Sequence, residues 1–513
     1  MSVYPHNVHD LFRKTVRAGH DRPALRWSES EVVTFSELNL FCDRVAAFLQ
    51  QHGIRKGDRV CIRLDKCTLV YALIIACLKL GAPYFVVDPL NPLARVLHIL
   101  AKCEPRLVFS AKEIPLDLPG YHVVLIDRND QFHGMEGFPD RSGPTDADVL
   151  GTDAAYIMFT SGSTGLPKGA VMSHANVLNF IQWARAEFSV TPDDTFTNLN
   201  PLFFDNSVFD FYASIMNGAS LVPFDASTMR DPYRVLQRID ELHCTVYFSV
   251  PSLLIYFQTL KIITPASFAH VRTVIFGGEG YPKTKLRDLF DCVSPRIELI
   301  NVYGPTECTC ICSTYQITDK DFETLDGYPP LGGPVANFSF IILNKAGEPA
   351  ALDEAGELLL GGPCVGLGYY DEPELTQVAF RQNPLHKAYH DRTYATGDLV
   401  MRSRADHKVH FVGRKDSQIK HQGYRIELEE IEHVLRGVPG IDEAVALHSE
   451  KDGFSTIVAV VASTAGSKPE AIRQEVSATL PGYMVPSRID ILARLPKNAN
   501  GKIDRSLLKS RYC

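Results

Sequence analysis

The sequence predicts an α/β protein with a large N-terminal domain of layered β-sheets flanked by helices plus a small β-barrel, and a small α+β C-terminal domain. Its length of 513 residues exceeds what one hydrophobic core usually serves. Short apolar runs typical of buried strands alternate with segments whose apolar residues recur at helical spacing. Near residue 416 a new set of helix and strand signals begins. We therefore predict domains at residues 1–415 and 416–513.

The composition is that of an ordinary globular protein, with 45% hydrophobic and 22% charged residues. A formal net charge of -8 gives no electrostatic case for a nucleic-acid partner. The twelve cysteines are scattered, and those within 308–312 lack the second cluster that a zinc site needs. The apolar run Leu69 to Val87 is broken by Lys79, Gly81 and Pro83, and no signal segment precedes it. We expect a cytoplasmic monomer with reduced thiols and no membrane partner.

The first 150 residues alternate helix and strand signals without an obvious catalytic group. Helices are predicted at Ser36–Gly53 and Leu69–Leu80. Strands are predicted at Arg59–Leu64, Pro83–Pro89, Pro105–Ser110 and His122–Ile126. The segment from Asp127 to Asp153 is rich in Gly, Pro, Asp and Asn, so we interpret it as a long surface connection.

The stretch from Phe159 to Gly169 follows a predicted buried strand, Ala154–Met158, and carries the strongest functional signal. Its glycines let the backbone approach an anion, its hydroxyl groups can donate hydrogen bonds, and its lysine adds positive charge. Composition alone would equally fit a surface turn. A Walker loop is excluded because Gly169 and Ala170 follow Lys168. The predicted phosphate-binding groups are Thr160, Ser161, Gly162, Ser163, Thr164, Gly165 and Lys168.

A carboxylate and three strands follow this loop. A helix is predicted at Ser173–Phe188, capped by Ser173 and Asn176, and Asp205 comes after two phenylalanines. Taken alone, Asp205 is most simply a helix cap. Strands that end in polar or glycine residues are predicted at Thr245–Val250, Thr273–Glu279 and Ile297–Glu307. Ligand sites of α/β sheets lie at such carboxyl ends of strands.

Short strands at Gly356–Gly362 and Gly366–Tyr370 predict the small barrel. Asp398, in the run Tyr394–Leu399, would by itself be a solvent-facing turn residue. A strand at His407–Val412 precedes the predicted hinge at Asp416.

Beyond the hinge, the sequence predicts a compact α+β unit. Gly423–Glu432 enters an acidic amphipathic helix, strands follow at Ala444–His448 and Thr456–Ala462, and a helix follows at Pro469–Leu480. Lys502, near the end of the chain, would by itself be an exposed surface residue.

Together these motifs resemble those of AMP-forming adenylating enzymes, which include acyl-CoA synthetases, luciferases and nonribosomal peptide synthetase adenylation domains. The resemblance spans about residues 36 to 505 and rests on Thr-Ser-Gly-Ser-Thr-Gly-x-Pro-Lys-Gly from residue 160, Phe-Asp-x-Ser from 204, Tyr-Gly-Pro-Thr-Glu from 303 and Asn-Gly-Lys-Ile-Asp-Arg from 500. It implies ATP and Mg²⁺ as cofactors, attack of a carboxylate on the α-phosphate, release of pyrophosphate and transfer of the acyl group to a thiol. The small domain would act as a mobile lid.

The resemblance also implies roles for individual residues. The catalytic residues would be Lys502, Thr306, Lys168 and Lys420, with the segment Lys420–Gly423 replacing Lys502 in the second half-reaction. Glu307 would hold Mg²⁺ because phosphate oxygens supply the other ligands. Where relatives usually have Lys-x-Arg-Gly, this chain has Lys420-His421-Gln422-Gly423. The other implied ATP-binding residues are Gly278, Glu279, Asn301, Tyr303, Gly304, Asp398 and Arg414.

In amino-acid-activating members, an Asp at the position of Asp205 pairs with the substrate α-ammonium, which indicates an amino acid rather than a fatty or aryl acid. The implied side-chain pocket consists of Asn206, Phe209, Phe248, Ile275, Gly277, Val302, Cys310 and Ile311. These residues are mostly apolar, and two phenylalanines limit the depth. The resemblance therefore implies a small or medium uncharged amino acid.

Eight residues follow Arg505, and no segment resembles a carrier domain. We therefore expect a stand-alone enzyme that docks a separate phosphopantetheinylated carrier protein, with coenzyme A as the alternative acceptor. The Phe-Gly-Gly-Glu run resembles D-alanine–carrier protein ligases. The alternative functions are an acyl-CoA synthetase or aryl or fatty acid ligase, and a non-catalytic adenylate sensor.

Overall fold

The computed structural model describes residues 4–111, 118, 120–126, 147–162, 165–451, 453–463, 468–498 and 501–513. The strands are β1 Pro23–Arg26, β2 Val32–Thr34, β3 Val60–Arg63, β4 Tyr84–Val86, β5 Leu107–Ala111, β6 Val123–Ile126, β7 Ala154–Thr160, β8 Lys168–Ser173, β9 Thr195–Asn198, β10 Ser220–Pro223, β11 Val246–Ser249, β12 Thr273–Gly277, β13 Glu298–Tyr303, β14 Ser313–Gln316, β15 Gly333–Pro334, β16 Ser339–Leu343, β17 Ala355–Gly361, β18 Gly368–Tyr369, β19 Phe380–Gln382, β20 Arg392–Arg402, β21 Val409–Arg414, β22 Gln418–His421, β23 Tyr424–Glu427, β24 Glu443–Lys451, β25 Phe454–Ala462 and β26 Arg488–Leu492. The helices are α1 Val8–Ala18, α2 Phe35–Gln51, α3 Thr68–Leu80, α4 Leu93–Cys103, α5 His174–Glu187, α6 Asn206–Val208, α7 Pro232–Glu241, α8 Pro251–Thr259, α9 Lys283–Val293, α10 Pro373–Ala379, α11 Leu428–Gly437, α12 Pro469–Ser477 and α13 Arg505–Tyr512.

A seven-stranded sheet in the order β18-β8-β7-β4-β3-β5-β6 carries the predicted phosphate loop between β7 and β8. Those two strands form an antiparallel hairpin, whereas β4, β3, β5 and β6 run parallel. Tyr369 of β18 pairs with Ala170 of β8. The assignment of Gly366–Tyr370 to the small barrel was therefore wrong, because this short strand completes the edge of a sheet whose other strands lie far upstream.

A nine-stranded sheet has the order β15-β14-β13-β12-β11-β9-β10-β1-β2. Strands β10, β9, β11, β12 and β13 are parallel, and Gly277 of β12 lies beside Val302 of β13. The carboxyl ends of β11, β12 and β13 therefore meet at one edge. This edge is where the sequence predicted ligand-binding residues.

Local capping signals mark the beginnings of α2 and α5. Thr34 and Glu37 form a capping box at α2, and Ser173 and Asn176 form another at α5, which confirms the predicted cap. The apolar core of the N-terminal domain includes residues from both large sheets. The C-terminal domain has its own apolar cluster, built on α11, α12, β24 and β25. The large α/β domain and the smaller C-terminal domain are thus confirmed.

The expected small barrel corresponds to a five-stranded antiparallel sheet of β16, β17, β20, β19 and β21. In the C-terminal domain, β24, β25 and β26 form a second sheet, and β22 and β23 form a hairpin. The sequence analysis took the residues of β23 as the entry to a helix, but α11 begins only at Leu428. Across the described ranges, no helix combines the length and apolar character needed to cross a membrane.

Candidate functional site

The phosphate loop begins at the end of the β7–β8 hairpin, where Thr160 pairs with Lys168. A Cβ atom at Gly162 would lie 2.0 Å from the carbonyl oxygen of Leu166, so only glycine fits the turn. The buried hydroxyl of Thr160 has no hydrogen-bond partner within the described ranges. An orphaned donor at this position fits a loop that receives an anionic ligand.

Ser161 of the loop makes two hydrogen bonds to the C-terminal domain. Its hydroxyl donates to the carbonyl oxygen of Arg425 at 2.8 Å and accepts from the backbone N–H of Glu427 at 3.1 Å. The hairpin of β22 and β23 therefore docks on the loop. The predicted loop residues Ser163 and Thr164 lie outside the described residues.

Glu307 lies at the centre of the site with 0% exposure. Arg425 contacts one of its oxygens at 2.7 Å, and the Tyr369 hydroxyl donates to the other at 2.6 Å. The Lys168 ammonium lies 3.9 Å away and donates to the Tyr369 hydroxyl at 3.1 Å. Burial alone would raise the pKa of Glu307, but Arg425, Lys168 and the tyrosine lower it to about 2. Burial, reinforced by Arg425, lowers the pKa of Lys168 to about 8.

Asp205 immediately precedes α6, yet its side chain makes no capping hydrogen bond. Instead, its carboxylate accepts a 2.6 Å hydrogen bond from the Thr306 hydroxyl. Burial raises the pKa of Asp205, against the opposing effects of Lys420 and of this hydrogen bond. Burial, and next the Arg425 guanidinium, lower the pKa of Lys420. The helix-cap interpretation is wrong, and the structure brings Asp205, Thr306 and Lys420 together.

Asp398 lies at the opposite side of the site, on β20. It accepts hydrogen bonds from the Tyr303 hydroxyl and from the Arg414 guanidinium. Arg414 also donates two hydrogen bonds of 2.6 Å to Asp416, the predicted hinge residue. Three residues predicted to bind ATP thus form one hydrogen-bonded group.

Glu279 is engaged by both domains. Its carboxylate accepts from the backbone N–H of Ser252 at 2.7 Å and from that of Gly423 at 3.0 Å. The Asn301 side chain donates to the carbonyl oxygen of Pro330 at 2.8 Å. The site is therefore closed on one side by the C-terminal domain.

A cavity of about 680 Å³ opens between these groups. Its lining includes nine of the predicted site residues, namely Gly278, Glu279, Asn301, Val302, Tyr303, Gly304, Asp398, Arg414 and Lys420. Pockets of this size accommodate a nucleotide-sized ligand. The structure therefore assembles around one space seven of the predicted ATP-binding residues, all of which follow the phosphate loop in the chain.

The predicted side-chain pocket lies behind this cavity. The rings of Phe209 and Phe248 pack edge to face with their centroids 5.3 Å apart. Val302 lines the cavity itself. A Cβ atom at Gly277 would lie 2.3 Å from the Val302 carbonyl oxygen. The close packing of β13 is therefore enough by itself to require glycine at this position. Asn206 is partly exposed, whereas Phe209, Phe248, Ile275, Val302, Cys310 and Ile311 are buried. The region is thus apolar with one amide at its edge.

The structure does not bring Lys502, one of the predicted catalytic residues, to the cavity. Its side chain is exposed, and its backbone N–H donates to the Asn498 side chain at 3.1 Å. Lys420 lines the cavity in its stead. The observed arrangement is the one in which the segment Lys420–Gly423 faces the site.

Sequence reasoning missed Arg425 and Tyr369, both of which contact Glu307. Arg425 was treated as part of a helix, although the preceding Gln422 and Gly423 could have indicated a hairpin turn. Tyr369 was assigned to a structural strand. Its partner Glu307 lies 62 residues upstream, and no local pattern reports such a contact.

A magnesium ion would have to share this site with phosphate. The described residues contain no group of three or more His, Cys, Asp or Glu side chains placed to hold a metal. Glu307 offers an ionised, buried carboxylate next to Lys168 of the loop, and Mg²⁺ commonly takes few protein carboxylates when phosphates provide other oxygens. The residues fit a magnesium ion that arrives with its nucleotide.

Comparison with known families gives two matches. The AMP-binding enzyme family model matches residues 12–370, and the AMP-binding enzyme C-terminal domain model matches residues 430–502. The first match alone covers more than half of the chain.

Two curated relatives illustrate the similarity. The L-proline–[L-prolyl-carrier protein] ligase of Streptomyces coelicolor (strain ATCC BAA-471 / A3(2) / M145) is 33% identical over 530 residues, which cover 98% of this chain and 96% of the relative. Surfactin synthase subunit 3 of Bacillus subtilis (strain 168) is 33% identical over 502 residues, which cover 97% of this chain. The chain spans only 38% of that synthase's length.

Among solved structures, holo-PA1221, an NRPS protein containing adenylation and PCP domains bound to a vinylsulfonamide inhibitor, superimposes with a TM-score of 0.86 at 25% identity. The match covers 99% of this chain and 84% of that one. The chain belongs to the AMP-binding enzyme family, and within it to the adenylation enzymes of the nonribosomal peptide synthetase type, which are AMP-forming ligases.

Proposed function

We propose that the protein activates a small or medium uncharged amino acid with ATP, releasing pyrophosphate and forming an aminoacyl-AMP. It then transfers the aminoacyl group to the phosphopantetheine thiol of a carrier protein. In this proposal residues 1–415 bind ATP and the acid, and residues 416–513 form the lid.

The observation that carries this proposal is the position of Asp205. Its carboxylate is held by the Thr306 hydroxyl at 2.6 Å, close to the loop and to Glu307. An α-ammonium removed from water needs a charged partner, whereas a fatty or aryl acid brings no cation for Asp205 to pair with. The apolar set around Phe209 and Phe248 favours an uncharged side chain.

In the first half-reaction the substrate carboxylate attacks the α-phosphate. Thr160, Lys168 and neighbouring loop groups hold the departing pyrophosphate, and Asp398 accepts from the ribose hydroxyls. Glu307 would hold Mg²⁺, which would supply positive charge that stabilises the phosphates. Lys502, carried on the lid, stabilises the charge that develops at the α-phosphate after the lid has turned from the observed arrangement.

In the second half-reaction the observed arrangement serves transfer. Lys420 lines the cavity, and its charge counteracts the burial that raises the pKa of Asp205. The Gly423 backbone donates to Glu279 at 3.0 Å. The cavity lining also includes Ile255, Tyr328 and, on α13, Lys509. We propose that the long thiol arm of a carrier protein enters this cavity.

ATP–pyrophosphate exchange tests the acid. The panel comprises both enantiomers of the proteinogenic amino acids, β-amino acids, aryl acids and fatty acids. The proposal expects exchange with one or a few uncharged amino acids. Exchange with fatty or aryl acids alone would instead indicate an acyl-CoA synthetase or a related ligase, and no exchange with any acid would indicate a sensor.

A transfer assay tests the acceptor. The activated enzyme is mixed with a phosphopantetheinylated carrier protein or with free coenzyme A, and thioester formation is followed by mass spectrometry. Faster transfer to the carrier protein supports the proposal. Transfer to coenzyme A at an equal or higher rate would contradict it.

A further inference from the structure

The carboxylate of Glu307 is occupied by groups of the protein itself. Arg425, from the C-terminal domain, contacts it at 2.7 Å, and the Tyr369 hydroxyl contacts its other oxygen at 2.6 Å. Glu307 has 0% exposure. A carboxylate buried to this degree requires a cation next to it, and in the docked arrangement Arg425 is the nearer of two cations, with Lys168 at 3.9 Å.

The same segment also covers the phosphate loop. The Ser161 hydroxyl is bonded on one side to the Arg425 carbonyl oxygen and on the other to the Glu427 N–H. A Cβ atom built at Gly165 would lie 2.8 Å from the His433 ring, so α11 leaves no free space above that residue. Loop groups expected to meet phosphate therefore meet the C-terminal domain.

We propose that Arg425 is an internal cation that takes the place of magnesium at Glu307. When the β22–β23 hairpin docks, its guanidinium neutralises Glu307, and when Mg²⁺ with a polyphosphate occupies the loop, the hairpin is displaced. The two states exclude each other because they use the same carboxylate and the same loop. This inference rests on the proposed function, in which the loop and Glu307 bind Mg²⁺ and pyrophosphate.

The inference assigns Arg425 a positioning role with a consequence for the order of events. Pyrophosphate must leave before the hairpin docks, and only then does Lys420 reach the site. Added magnesium pyrophosphate should therefore displace the hairpin and raise hydrogen exchange in β22 and β23 in the absence of adenylate.

The test is direct binding of magnesium pyrophosphate by isothermal titration calorimetry. Arg425→Gln removes the internal cation, so docking no longer competes. The Kd should fall about tenfold, the change expected if about nine-tenths of wild-type molecules are docked. Arg425→Lys, which keeps the charge, should return the Kd toward the wild-type value. The control Arg436→Gln, on the exposed side of α11, should leave it unchanged.

Equal Kd values for wild type and Arg425→Gln, with the variant folded by circular dichroism, would overturn the inference. If Arg425→Gln does not fold, hydrogen exchange of the wild type decides: exchange in β22 and β23 that rises when magnesium pyrophosphate binds would support the inference, and unchanged exchange with pyrophosphate bound would overturn it. No binding of magnesium pyrophosphate by the wild type would instead refute the proposed function. The two failures are therefore distinguishable.

Discussion

Replacing Asp205 by Asn removes the proposed counter-charge of the substrate α-ammonium while preserving the shape of the side chain. The amide oxygen can still accept the 2.6 Å hydrogen bond from Thr306, so the surrounding structure should be retained. Removing one partner of a buried ion pair costs about 3–5 kcal/mol. At about 1.4 kcal/mol per factor of ten, kcat/KM for the amino acid should fall by about a hundredfold to a few thousandfold.

The assay is amino-acid-dependent ATP–pyrophosphate exchange, with ATP binding measured in parallel. ATP affinity should remain close to that of the wild type because Asp205 lies on the acid side of the site. Asp193→Asn, a substitution at an exposed carboxylate that pairs with Arg22, is the matched control and should leave exchange unchanged. Exchange by Asp205→Asn within about threefold of the wild type would refute the role of Asp205, since a lost buried counter-charge costs far more than that.

Four further substitutions test the roles of individual residues. Lys502→Ala should lower adenylate formation by about a hundredfold and spare transfer from a preformed adenylate, whereas Lys420→Ala should do the reverse; equal losses in both half-reactions would contradict these roles. Arg95→Gln leaves the buried Glu430 without its ionic partner across the domains, so transfer should slow while pyrophosphate exchange persists, and slowing of both would count against a docking role. Burial lowers the pKa of His174 from 6.5 to about 4, so between these values the unfolded chain binds the proton and the folded protein does not. The free energy of unfolding of the wild type should therefore fall by about 3 kcal/mol as the pH drops through this window. Urea unfolding at pH 7 and 4.5 should show a smaller fall for His174→Gln than for the wild type.

The sequence predicted best those features that depend on neighbouring residues. Helix α5 begins where Ser173 and Asn176 signal a cap, because the capping hydrogen bonds join residues three apart. Strand β18 was misassigned because its partner, β8, lies about two hundred residues upstream. No local pattern encodes such a pairing.

The residues of the candidate site also fall into those that local patterns predict and those whose contacts join distant parts of the chain. Gly278, Glu279, Asn301, Tyr303 and Gly304 line one cavity because the carboxyl ends of the parallel strands β12 and β13 converge there. The contact of Arg425 with Glu307 depends on how one domain docks on the other, which the local pattern does not report. The β22–β23 turn, with positive φ at Gln422 and Gly423, was overlooked since Gln-Gly is a weaker hairpin signal than Asn-Gly.

Arg414 makes the nucleotide site and the predicted hinge electrically interdependent. One guanidinium serves two carboxylates, Asp398 at the proposed ribose position and Asp416 where the domains join. If a bound ribose takes the hydrogen bonds of Asp398, the Arg414 guanidinium pairs more strongly with Asp416. If rotation of the lid moves Asp416 away, the guanidinium pairs more strongly with Asp398. Lid orientation and nucleotide binding would then affect each other through Arg414, the cation that both carboxylates share.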